Sequence, residues 1–329
     1  MKTSELRNIV DMLKPAFKLN DLAEFGKYII FQTDKVFVYN GAMAIVVEHT
    51  TDKEFALPAD EFTKFISRVK SKDVEITIGD TIEIKAGNAK ASFAKNDDIV
   101  TRAKALKIII PTQLERIPDD FCKGLKMCQY SIGKDKSYEH LTYLNIEGKL
   151  MASTDNLRVS EYVLSDDVTD MMIPREAVKY LIQYDVKEYS IELGFAYFKN
   201  KDNVWFITRI GDMLFPDYAT FLEGEGQDIT LPDDISDIVA TAAVTVDDIA
   251  NIENTVNVNI ENNKVTVSSQ NDVGKIVVES DVEYKDKASF SISPAFFDDI
   301  LKITKNIRVC ENKILFKVDN FRHVVALLN

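Results

Sequence analysis

Apolar residues along this chain switch repeatedly between a period of two and a helical period. The stretch VEITI-GD-TIEIK sets Val74, Ile76 and Ile78 against Ile82 and Ile84 across Gly79-Asp80, which predicts a tight β-hairpin. The same signature recurs at Asn40-Gly41, Glu147-Gly148, Asn262-Asn263 and Asp319-Asn320, each pair dividing two alternating runs. Between the hairpins, five segments share an apolar strand end, a proline and an amphipathic run: ALPADEFTKFI, RIPDDFCKGLK, MIPREAVKYLI, TLPDDISDIVA and SISPAFFDDIL. Their prolines, at 58, 118, 174, 232 and 294, are 56 to 62 residues apart. Proline suits a first helical turn, where its missing N–H has no intrahelical partner to lose. After Pro58 the apolar set Phe62, Phe65, Ile66 and Val69 makes one helix face; Val178, Leu181 and Ile182 follow Pro174, and Phe297, Ile300 and Leu301 follow Pro294. One step back from Pro58 lies the N-terminus, where Ser4 is predicted to cap a helix carrying Ile9, Leu13 and Phe17.

Six helix-plus-hairpin units result. One short helix and a small sheet cannot bury a core alone, so pairing of units predicts an α+β chain of three similar domains, 1–110, 111–223 and 224–329. The basic stretch RAKALK (102–107) and the glycine-containing EGEGQD (223–228) are the candidate boundaries.

Composition narrows the function classes. The 329 residues hold no apolar run long enough to span a membrane, and the start, MKTSELRNIV, is unsuited to a signal peptide, so a cytoplasmic protein is expected. Cys122, Cys128 and Cys310 form no CxxC pair and read as buried thiols. There is no GxSxG, phosphate loop, GxGxxG or HExxH, and 12 glycines are few for loops that approach phosphate closely. His49, His140 and His323 stand far apart in sequence. The pairs Asp119-Asp120, Asp233-Asp234 and Asp298-Asp299 fit helix ends or solvated faces better than a metal site. Neither a catalytic residue, a metal nor a cofactor is expected.

The net charge of −13 argues against a nucleic-acid partner until its distribution is examined. Residues 1–110 carry 17 basic and 16 acidic side chains, whereas 111–223 carry 13 and 19 and 224–329 carry 10 and 18. Basic residues fall on helix faces: Arg7, Lys14 and Lys18 on the first, Lys64, Arg68 and Lys72 on the second, Lys123 with Lys126 and Arg175 with Lys179 on the next two. Any one stripe reads as a solvated face, but four together suggest a shared positive surface. The fifth helix has Asp233, Asp234 and Asp237 instead, and the sixth only Lys302 and Lys305.

Two segments carry a family resemblance. LTYLNIEGKLMASTDNLRVS (141–160) resembles the middle-domain segment ending in ATDGHRL of the bacterial sliding clamp, the β subunit of the replicative DNA polymerase, and RIGDMLFPDY (209–218) resembles its GxFPDY segment. FRHVVALL (321–328) is similar to its closing strand. The resemblance implies a homodimeric ring, helices inside and sheets outside, that encircles duplex DNA without sequence preference and has no catalytic residue. It also implies a pocket for short linear peptides of DNA polymerase and clamp loader, formed by Leu141, Thr154, Leu157, Arg158, Val159, Pro216, Phe221, Val324 and Ala326. The ten basic residues above would face the duplex, and Phe93 of one subunit would lie near Val244 of the other. The family's Gly-His is Asn156-Leu157 here, which keeps a residue tolerant of the left-handed turn but makes the rim more apolar. An alternative function is a clamp-like, protein-binding regulator that does not encircle DNA.

Overall fold

In a computed structural model, residues 1–17, 24–41, 43–106, 108–246 and 254–327 are described. In chain order, helix α1 (Thr3–Leu13) precedes β1 (Tyr28–Phe31), β2 (Lys35–Tyr39), β3 (Met43–Glu48) and β4 (Phe55–Pro58). Then come α2 (Ala59–Arg68), β5 (Glu75–Ile78), β6 (Thr81–Ala86), β7 (Ala89–Ala94), α3 (Asp97–Ala105), β8 (Glu115–Arg116) and α4 (Phe121–Cys128). The middle of the chain holds β9 (Tyr143–Thr154), β10 (Arg158–Pro174), α5 (Arg175–Tyr184), β11 (Glu188–Glu192), β12 (Phe195–Lys199) and β13 (Val204–Arg209). The last part holds β14 (Gln227–Thr230), α6 (Ile235–Ala242), β15 (Val256–Glu261), β16 (Lys264–Gln270), β17 (Lys275–Asp281) and β18 (Ala288–Ile292). It closes with α7 (Pro294–Leu301), β19 (Asn306–Val309), β20 (Lys313–Val318) and β21 (Phe321–Ala326). The class is α+β with antiparallel sheets.

The chain forms two compact units, residues 1–123 with 165–212 and residues 124–164 with 213–329. The segment 111–223, expected as one middle domain, is shared between them.

The first unit is built on an eight-stranded sheet in the order β4-β1-β2-β3-β13-β12-β11-β8, beside a three-stranded sheet β5-β6-β7. Helices α1 and α2 pack on each other and on the large sheet. Phe62 of α2 is fully buried with its ring edge-on to Phe31, which stacks at 4.4 Å on Phe55. Such a side chain contributes about 1.5–3 kcal/mol by leaving water. On the same sheet Ile30, Phe37, Val46 and Trp205 join Ile99 and Ala103 of α3 in one cluster. Strands covered on both faces explain why YIIF, VFVY and WFI are near-continuous apolar runs.

Helix α3 takes in the first four residues of the basic stretch 102–107. The Asn96 side chain caps it by accepting from the Ile99 N–H at 3.0 Å. Helix α1 differs from expectation. Its N-cap is Lys2 rather than Ser4, which sits within the helix, and it stops before Pro15, leaving Phe17 outside. Pro58 and Pro174 are N-caps and Pro294 is the first residue of its helix, whereas α4 and α6 start three residues after Pro118 and Pro232.

The second unit contains a six-stranded sheet, β14-β19-β20-β21-β10-β9, and a four-stranded sheet, β17-β16-β15-β18. Its helices α6 and α7 pack together, and the ring of Phe297 meets that of Phe290 edge-on at 5.9 Å. The β15–β16 turn has φ of 56° at Asn262 and 59° at Asn263, the pair of left-handed residues that a two-residue hairpin requires. Ile76 pairs with Ile84 and Ile78 with Ile82, as their alternation predicts. Glu147-Gly148 instead lies inside one extended segment, β9, where Gly148 has φ 56°. Gly226 has a different constraint: a Cβ there would stand 2.4 Å from the Val309 carbonyl oxygen.

Candidate functional site: an apolar cleft on the β10–β21 seam

Strands β10 and β21 pair with Val159 opposite Val324 and Glu161 opposite Arg322. Val159 and Val324, both nearly buried, belong to one apolar cluster with Leu222, Cys310 and Leu315, and Tyr218 packs against it. The turn leading into β10 is fixed by its own side chains. Asp155 Oδ1 accepts from the N–H groups of Leu157 (3.1 Å) and Arg158 (2.8 Å), and Thr154 Oγ1 donates to the Arg158 carbonyl at 2.8 Å. Asn156, at the position of the family's glycine, has φ 71°. The Leu157 carbonyl accepts from the Ala326 N–H at 2.8 Å, tying the turn to β21.

Arg158 is held on three sides. Its guanidinium bonds Asp155 Oδ2 at 2.9 and 3.0 Å and Asp299 Oδ2 at 3.0 Å, and lies 3.9 Å from the centre of the Phe296 ring. Two carboxylates around a guanidinium that is almost buried leave it a shape-giving wall rather than a cation available to a ligand. Residues 215–222 form the opposite wall. The Phe221 N–H donates to the Tyr218 carbonyl at 2.9 Å, and Lys313 Nζ donates to the carbonyls of Phe221, at 3.1 Å, and Glu223. This holds the Phe221 side chain 57% exposed at the rim.

The cleft holds a volume of about 370 Å³. Eight of the nine expected pocket residues line it: Thr154, Leu157, Arg158, Val159, Pro216, Phe221, Val324 and Ala326. Leu141 does not. It is buried in the turn 136–142, where its carbonyl accepts from the Gly133 N–H at 2.8 Å. Asn156, Asp217, Tyr218, Thr220, Asn312 and Lys313 also line the cavity and were not expected. Asp217 and Tyr218 lie within the FPDY stretch and were legible from it; Asn312, in the β19–β20 turn, and Lys313, at the start of β20, carry no motif. An apolar floor with a polar rim suits a few apolar side chains of an extended segment.

The expected basic surface is less uniform. Lys64, Arg68, Lys72, Lys123, Lys126 and Lys179 are exposed, and Arg175 is half-buried. Arg7 instead bonds the Ile66 carbonyl at 2.9 Å and that of Val69, closing the end of α2. Lys14 pairs with Asp11 at 2.5 Å, and Lys179 lies 4.6 Å from the Tyr180 ring centre. Lys18 lies outside the described residues. Phe93, half-buried, is on β7 at an edge of the three-stranded sheet, and Val244 is 74% exposed just after α6.

The acidic pairs have structural partners. Asp120 accepts from Ser165, Asp119 pairs with Arg116, Asp233 with Lys305, Asp234 with Ser280, and Asp298 with Lys302. Among the described residues no group of three or more His, Cys, Asp or Glu could hold a metal ion, and no helix is long and apolar enough to cross a membrane. No cysteine is in a disulfide; Cys128 and Cys310 are buried and Cys122 is half-buried.

No family model matches the sequence, and no curated protein is similar to it in sequence. Solved structures are similar across the entire chain. The β chain of DNA polymerase III from Streptococcus pneumoniae has a TM-score of 0.85 at 15% identity, with 100% of this chain and 98% of that one covered. The fold is that of a DNA sliding clamp. The clamp from Bacillus subtilis gives a TM-score of 0.80 at 18% identity, and that from Bartonella birtlesii, bound to griselimycin, 0.85 at 13%, each with the same coverage. At such identities the clamp fold is what the likeness establishes.

Proposed function

We propose that this chain is a non-catalytic sliding clamp acting in the cytoplasm: two copies close into a ring around duplex DNA and tether DNA polymerase and clamp loader through short peptides. The observation that supports the reading is an apolar cleft, lined by Leu157, Val159, Pro216 and Val324, on a fold shared with sliding clamps over the whole chain. In this reading each copy contributes three domains, the exposed stripe of Lys64, Arg68, Lys123 and Lys126 faces the duplex, and copies join where Phe93 meets Val244. Contact through a few lysines is loose and independent of sequence, as sliding requires. An acidic exterior would discourage DNA from binding outside the ring.

A second reading, a clamp-fold regulator that binds proteins without encircling DNA, draws on the overall charge of −13 and on Arg7 being engaged within the protein. Electron microscopy of particles in solution separates the two. A closed ring with six lobes is expected from a clamp, and single copies in the images, with a monomer by sedimentation, would favour the regulator.

A further inference from the structure

Behind the cleft lies a carboxylate that the apolar character of the site does not call for. Glu161, on the same face of β10 as Val159, is 3% exposed. Its Oε1 accepts from Arg322 Nε at 2.8 Å and from a terminal nitrogen of the same guanidinium at 2.5 Å. Its Oε2 accepts from the Tyr218 hydroxyl at 3.0 Å. Both oxygens are therefore engaged, one by the cross-strand partner on β21 and one by a residue that lines the cleft.

We propose that Glu161 is the positioning residue of the cleft, fixing the Tyr218 ring as its wall and pinning the β10–β21 register that brings Val159 and Val324 together as its floor. The inference rests on reading the cleft as a peptide site. With its hydroxyl turned to Glu161, Tyr218 presents ring rather than donor to a ligand, which favours apolar anchors. A slip of one residue would turn every side chain of β21 to the other face and remove Val324 from the floor. Polar pairs on both faces oppose it: Glu161 with Arg322 on the cleft side and, on the reverse, Ser160 with His323 Nδ1 at 2.7 Å, continued by Ser131 at 2.8 Å from Ser160. An apolar seam would tolerate such a shift more readily, because a displaced apolar pair leaves no polar group unpaired.

The test is calorimetric titration of the full chain and four variants with a synthetic peptide carrying a glutamine followed by leucine and phenylalanine. Tyr218→Phe and Glu161→Leu are each expected to weaken binding about tenfold, the scale set by one unpaired or misplaced buried polar group. The double variant Glu161→Leu/Tyr218→Phe is expected to be no weaker than Glu161→Leu, because the two residues act as one unit. Glu161→Gln can still accept from Arg322 and bond the phenol oxygen, so it should remain within about threefold of the unaltered chain. Binding by Tyr218→Phe at full strength overturns the inference, and so does Glu161→Gln binding as weakly as Glu161→Leu. Tyr218→Phe carries the test by itself if Glu161→Leu fails to fold. An unaltered chain that binds no such peptide overturns the peptide reading of the cleft as well, whereas full binding by both it and Tyr218→Phe removes only the positioning role.

Discussion

Each compact unit contains an antiparallel seam between strands more distant in sequence than any other pair in its large sheet, β3–β13 in the first and β10–β21 in the second, and the two seams are made of different chemistry. In the first unit β3 meets β13 with Val46 opposite Trp205, Ile45 opposite Phe206 and Ala44 opposite Ile207, all buried. In the second, β10 meets β21 with Ser160 opposite His323 and Glu161 opposite Arg322 beside the Val159–Val324 pair. Apolar pairing holds a unit together through area and packing, which constrain register weakly. Polar pairing adds little net stability but makes the wrong alignment expensive. Both seams border a cleft, that of the apolar seam lined by Met43, Ala44 and Ile207, and the polar seam is the one that carries the candidate site.

The largest contrast expected is in stability. Phe206 is buried on the apolar seam with its ring stacked at 5.9 Å on Tyr180. Phe206→Ala should cost about 3–5 kcal/mol in denaturant unfolding. A much smaller loss would mean that the apolar seam is not a main support of its unit.

The next concerns pH and belongs to the polar seam. Burial, with Arg158 nearby, lowers the pKa of His323 to about 3. A histidine held neutral in the fold but protonated when unfolded stabilises fully above its unfolded pKa near 6.5, and that contribution is lost as pH falls toward 3. Stability should therefore fall by up to about 1.4 kcal/mol per pH unit below about 6.5, and His323→Phe should flatten the part between about 6.5 and 5, above the carboxylate range. Thermal melts of both proteins across that interval check the slope, and equal slopes would contradict it.

A smaller change is expected at the cleft floor. Val324→Ala should reduce peptide affinity by about 1–2 kcal/mol while leaving DNA retention unchanged. Unaltered affinity on titration would place the partner site elsewhere.

The smallest stability effect should come from the exposed charges. Reversing Lys64, Arg68, Lys123 and Lys126 to glutamate should change unfolding by less than about 0.5 kcal/mol per site, yet lower processivity in a primer-extension assay. Normal processivity would make these residues solvated faces only.

The same contrast explains what could be read from sequence. Hairpin turns and proline-led helices are local, so Asn262-Asn263 and Pro294 announced themselves through backbone preferences that act within a few residues. Most of the cleft was legible because its residues fall in two motif-bearing segments and a closing strand. Helix α3 left a readable signal, Asn96 followed by Asp97 and Asp98 and then Ile99 and Ala103, which the basic run beside it obscured. Leu141 was misplaced because a buried leucine looks the same in sequence whether it lines a cleft or fills a core. The use of Arg7 to close α2, and the Glu161–Arg322–Tyr218 cluster, join residues 57 to 161 positions apart, and no period or spacing encodes such partners.

The central claim, encirclement of DNA, is tested most directly by topology. Loaded onto nicked circular DNA at moderate salt, the protein should remain bound through extended washing and then leave when one cut linearises the circle. Equal retention on circular and linear DNA would contradict the ring, because binding to phosphates depends on salt and not on the presence of ends.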